Sequence, residues 1–108
     1  MGAMKLEYAA AQLEALGNPT RLAIYRALVK AGDPGLSVGV LQKRVKVPAA
    51  STLSHHLRSL IQNGLVVQER QSTVLICRAV YPAMEKLVGF LSSECCVDAG
   101  CASADVAA

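Results

Sequence analysis

Nowhere in these 108 residues does an apolar run approach the roughly 18 residues that a membrane-spanning helix needs. The amino-terminal stretch shows no basic segment followed by an apolar one and a cleavage site, so no export signal is read and a cytosolic protein without membrane attachment is expected. No internal repeat is present, which excludes a solenoid or a propeller. Charged residues make up 18% of the chain against 53% apolar ones, too much hydrophobic side chain for a disordered polymer. What these absences leave is one small domain, too short for two cores and expected to share its apolar surface with a partner chain.

Acid is scarce in one stretch in particular. Between Leu41 and Arg78 the sequence carries Lys43, Arg44, Lys46, Arg58, Arg70 and Arg78 against the single Glu69. The rest of the chain is net acidic, so the overall charge of +3 hides a local basic segment that is either a polyanion-binding face or an ordinary solvated surface.

Periodicity divides the chain into elements. Leu6, Ala9, Ala10, Leu13 and Leu16 recur at helical spacing up to Gly17. A second helix starts at Asn18 as cap and Pro19 in the first turn, with Leu22, Tyr25, Leu28 and Val29 as its inward stripe and Gly32 as its end. Ser37 caps a short third helix that turns Val40, Leu41 and Val45, or Val38, inward. Pro48 opens a fourth, closed by Asn63 and Gly64. On that helix Leu53, His56, Leu57, Leu60 and Ile61 fall on one side and Ser51, His55, Arg58 and Gln62 on the other. A short helix, a turn and a helix with a polar, basic outer face make a helix-turn-helix, whose second helix enters the major groove.

After Gly64 the pattern changes to β-branched runs, "LVVQER" and "VLICRAV", joined by "QST". A basic hairpin directly after a recognition helix is a wing, so the expected fold is mostly α with a β-hairpin, a winged helix-turn-helix. "YPAMEKLVGFLSSECC" returns to helical spacing through Met84, Leu87, Val88, Leu91 and Cys95. The expected organisation is a DNA-binding and dimerisation domain over residues 1–96 and a flexible tail over 97–108. On the recognition helix Ser51 and His55 are candidate DNA contacts. Arg58 either reads bases or clamps a phosphate, and Thr52 and Ser54 either contact DNA or bond the backbone. Arg70 and Gln71 near the wing tip are expected on phosphate or in the minor groove. His56 reads as a core histidine. No spacing suggests a nucleophile with its base, so an enzyme is not expected.

"LEALGNPTRLAIYRAL", "STLSHHLRSLIQNGLV" and the hairpin after them closely resemble the ArsR/SmtB family of winged-helix repressors, from about Leu13 to Leu91. The resemblance implies a homodimer joined through first and last helices, operator DNA as partner, and release of that DNA by a metal or metalloid. The arsenic sensors of the family carry cysteines on the third helix; Ser37 and Gly39 stand at the matching positions here. The zinc-type site needs histidines on the last helix, which has none. What remains is Cys95, Cys96 and Cys101, resembling a subgroup of arsenic-responsive members with a Cys-Cys pair and a third cysteine at the chain's end.

Thiolates select thiophilic ions. As(III), with Sb(III) beside it, favours a pyramid of three sulfurs, whereas structural zinc takes four donors. Adjacent helical residues point about 100° apart, so Cys95 and Cys96 converge on one ion only if the helix frays or if a flexible arm, "VDAG", supplies the rest by folding Cys101 back over the pair. Cys77, on the second wing strand, reads as a small apolar residue rather than a fourth ligand. The alternative within the same fold is a thiol-redox or reactive-sulfur sensor.

Overall fold

The computed structural model describes residues 4–100, which form five helices and one three-stranded antiparallel sheet. α1 (Leu6–Leu16) is followed by α2 (Pro19–Ala31). The Asn18 side-chain oxygen accepts the Arg21 amide at 3.0 Å, and Pro19 opens the helix where an amide proton would have no partner. The Ser37 hydroxyl caps α3 (Val38–Val45) by accepting from the Val40 amide at 3.2 Å. Lys46 ends that helix in the left-handed conformation, and α4 (Ala50–Gln62) begins after Pro48. β2 (Val66–Gln71) and β3 (Val74–Ala79) form the wing, and α5 (Tyr81–Ser92) is the last helix. This is the winged helix-turn-helix expected from the periodicity, with α3 and α4 as the helix-turn-helix.

The periodicity misses one strand. β1 (Leu36–Ser37) pairs Leu36 with Cys77 and Ser37 with Ile76, giving the sheet order β1-β3-β2. Two residues are too few to show a period of two. The approach is close: Gly35 has φ +71°, and a Cβ there would lie 2.5 Å from the Cys77 carbonyl oxygen, so only glycine fits.

Ile24 and Leu28 from α2, Leu41 from α3, and Leu53, Leu57 and Leu60 from α4 meet Leu65, Val66 and Cys77 of the wing in one core. Each leucine or isoleucine so buried contributes about 1.5–3 kcal/mol. The Tyr81 hydroxyl donates to the carbonyls of Leu28 and Val29, tying the start of α5 to the end of α2.

Two inward stripes differ from expectation. In α2 the buried side chains are Ile24, Tyr25 and Leu28, while Leu22 is exposed; Val40 of α3 is exposed as well. In α1 the buried residues are Ala9, Gln12 and Ala15, and the helix packs against α2 and α4. The Gln12 amide nitrogen donates to the Asn63 carbonyl at 2.9 Å across that contact. The larger apolar residues point outward: Leu6 is 67% exposed, and on α5 Val88 and Leu91 are 58% and 59% exposed.

The last helix also stops earlier than its sequence pattern suggests, at Ser92 rather than Cys95. The Ser92 hydroxyl donates to the Val88 and Gly89 carbonyls, and the Ser93 hydroxyl to the Phe90 carbonyl at 2.8 Å. These side chains occupy carbonyls of the last turn, and the backbone leaves the helix at Ser93.

Candidate nucleic-acid interface and cysteine pair

α4 is held by its apolar side, so its other side is presented outward as a rigid row. Leu53, Leu57 and Leu60 are buried, and Ser51, Thr52, Ser54, His55 and Arg58 are all exposed. No side chain caps the start of α4. Arg58 and Ser54 also border a cavity of about 320 Å³ between α3, α4 and the wing, with Val38, Gln68 and Leu75 on its other walls.

His56 is half-buried, against a residue that hydrophobic periodicity does not single out. The Arg21 guanidinium places Nη1 3.4 Å from His56 Nδ1 and donates from Nε to the Ala15 carbonyl at 2.7 Å. Arg21 thus joins the end of α1 to the middle of α4. Burial first, then Arg21, then His55 hold the His56 imidazole below its ordinary range, favouring the neutral form whose Nδ1 accepts a hydrogen bond from Arg21. The signal for this contact was the arginine of the "NPTRL" stretch, which periodicity treats only as a polar position.

Arg70 and Gln71 end β2, and both are exposed. Gln71 pairs with Val74, so the wing tip is the two-residue turn Ser72-Thr73. Ser72 has φ 59°, a conformation that hairpin turns of this length usually give to glycine. Of the six cations in the basic stretch, Arg78 serves the fold: Nη1 pairs with Glu69 and Nε donates to the Asp33 carbonyl at 2.8 Å. Arg44 and Lys46 lie apart from the outer row of α4, beside α2.

Beyond Ser92 the chain runs as a series of tight turns to Gly100. Glu94 and Cys96 have φ 60° and 62°, in the left-handed region. That departure from helix brings the Cys95 and Cys96 sulfurs to 3.5 Å, which a continuing helix would have splayed apart. Two sulfur–ion bonds of about 2.3 Å meeting at roughly 100° span about the same distance. Consecutive Cα atoms are about 3.8 Å apart, shorter than the roughly 4.4–6.8 Å usual across a disulfide, so the pair is better placed to share an ion than to join each other. Among the described residues no third histidine, cysteine or carboxylate completes a donor group. Cys101, named as the third ligand, lies outside the described residues.

Cys77 is fully buried on β3, where its cross-strand neighbour Gln68 donates to its sulfur at 3.5 Å. Burial pushes this thiol up, against the smaller opposing effect of Gln68. It behaves as the small core residue expected.

The sequence matches a helix-turn-helix domain family over residues 16–69. The HTH-type transcriptional regulator YgaV of Escherichia coli (strain K12) is 32% identical over 90 residues, 83% of this chain and 88% of that protein. The nodulation protein NolR of Rhizobium meliloti is 36% identical over 86 residues, 80% of this chain and 67% of that one. Among solved structures, an ArsR-like transcriptional regulator from Rhodococcus sp. RHA1 superposes with a TM-score of 0.66 at 26% identity, covering 79% of this chain and 76% of that one. A possible transcriptional regulator for arsenical resistance does so with 0.65 at 29%, covering 76% and 81%. The matched family is a helix-turn-helix domain and YgaV is a transcriptional regulator, neither of them an enzyme.

Proposed function

Since this chain belongs to the helix-turn-helix transcriptional regulators of the ArsR/SmtB type, we propose that it is a homodimeric repressor whose operator is released when As(III) binds Cys95, Cys96 and Cys101. The observation that carries the reading is the 3.5 Å approach of the Cys95 and Cys96 sulfurs just past α5. Sb(III), with the same preference for three sulfurs, is the second expected inducer. The outer row of α4, with Ser51, Thr52, Ser54, His55 and Arg58, enters the major groove; Arg70 and Gln71 of the wing reach the flanking backbone or minor groove.

The dimer forms through the exposed apolar faces of α1 and α5, which touch each other within the chain and carry Leu6, Leu13, Val88 and Leu91 outward. Because the thiol pair directly follows α5, closing three sulfurs on one ion changes the end of a dimerising helix. A small rotation there mis-spaces two recognition helices that must sit about one DNA turn apart. A coupling of about 1–3 kcal/mol makes the response useful.

Titration of the reduced protein with arsenite, with free thiols counted after each addition, tests the site. One arsenic per chain with three thiols consumed supports it. Loss of none, or an unchanged count in Cys95→Ser, contradicts it.

A second reading, an oxidant or reactive-sulfur sensor, draws on the same two accessible sulfurs. The short Cα spacing of adjacent residues disfavours a Cys95–Cys96 bond, so this reading needs Cys101 as the disulfide partner. Release of DNA by peroxide but not by arsenite would favour it.

A further inference from the structure

A basic surface separate from the outer row of α4 lies between α2 and the end of α3. The two helices enclose an open cleft of about 620 Å³, floored in part by the half-buried Ala27 and Val45 and edged by the exposed Arg26, Lys30, Arg44 and Lys46. No carboxylate lines it, and the one ion pair among the described residues, Arg78 with Glu69, is elsewhere. Cations in the last turns of helices complement the helix dipole, which accounts for Lys30 and Arg44. Arg26 stands in the middle of the 13-residue α2, where the dipole gives it nothing. Arg26 and Lys30 are also four residues apart on one helix face, a like-charge arrangement that destabilises a helix unless an anion lies beside it.

We propose that this cleft seats the sugar-phosphate backbone of DNA, as a sequence-independent contact beside the recognition helix. The inference rests on the operator-binding reading. Charge selects a polyanion, and the fold places the cleft next to the groove-entering element. Lys46 begins the short turn that leads through Pro48 into Ala50, the first residue of α4, and the leading residues of a recognition helix are those that face the bases. A backbone strand bordering the groove then runs past Lys46 and Arg44 toward Arg26 and Lys30. Such contacts add affinity on any sequence and hold the dimer's register without reading bases.

The test compares the full-length protein with Arg26→Gln/Lys30→Gln on two duplexes, the promoter region of its own gene and an unrelated sequence, over a range of salt. Each phosphate contact contributes about 0.9 to the slope of log K against log salt. With two contacts in each of two subunits, the double variant is expected to flatten the slope by about 3.6 on both duplexes while the preference between them stays constant. Arg26→Lys/Lys30→Arg, which keeps both charges, is expected to retain the parent slope, and an unchanged melting temperature shows that each variant is folded. Equal slopes for the parent and the Gln variant would overturn the proposal, leave operator binding standing and point to an acidic protein surface as the occupant. A parent protein that binds neither duplex would overturn both readings.

Discussion

Arg21 and His56 meet across 35 residues of sequence, with the guanidinium Nη1 3.4 Å from the imidazole Nδ1 and the Arg21 Nε on the Ala15 carbonyl. One side chain at the start of α2 therefore fixes both the end of α1 and the middle of the recognition helix. Arg21→Gln removes a charged donor and leaves a carbonyl and an imidazole without their partner. The expected cost is about 1–3 kcal/mol, read as a lower urea midpoint with an unchanged slope, together with weaker operator binding.

Burial of His56, with Arg21 beside it, gives stability a pH dependence of definite sign. His56 is held below its ordinary range in the folded chain, so the unfolded chain binds the extra proton. Stability should be level above the unfolded histidine value of about 6.5 and fall as pH drops through that value toward the folded one. His56→Gln should remove this component below the unfolded value of about 6.5; a parent and variant that fall in parallel there would contradict it.

Gly35 and Gly64 both have positive φ, yet they meet different obstacles. An added Cβ at Gly35 lies 2.5 Å from a backbone oxygen of β3, whereas at Gly64 it meets the Tyr8 hydroxyl, the far end of a side chain that can swing away. Each Gly→Ala change carries about 1–2 kcal/mol for the left-handed backbone. Gly35→Ala should cost clearly more than Gly64→Ala, because β1 must separate from β3. Thermal melting of the two variants decides the order.

Cys77 and the tail pair should be chemically distinct. The buried Cys77 thiol is pushed up and stays protonated, while Cys95 is half-buried and Cys96 is exposed. A chromogenic thiol reagent should label the tail at once and Cys77 only on unfolding. Cys77→Ala should cost about 1 kcal/mol and leave the arsenite response unchanged.

The helices and the wing were legible because capping residues and apolar spacing are local: Asn18, Pro19, Ser37 and Gly64 act where the sequence places them. The row from Ser51 to Arg58 was legible for the same reason. What was not legible depends on contacts distant in sequence. β1 exists only because β3 accepts it. The burial of Ala9, Gln12 and Ala15 rather than Leu6 and Leu13 follows from which side of α1 packs against α4. Arg78 looked like part of a polyanion face until Glu69 and the Asp33 carbonyl claimed it. The early end of α5 depends on two serines whose hydroxyls bond back to the helix, a choice that hydrophobic period does not register.

Arsenite, acting through the tail thiols, is expected to take this regulator off its operator. The direct measurement is the fluorescence anisotropy of a labelled duplex from the gene's own promoter, bound by the reduced full-length protein and titrated separately with arsenite and with zinc. Arsenite is expected to release the duplex, zinc to leave it bound, and Cys95→Ser to lose the arsenite response. A complex that survives arsenite would contradict this expectation.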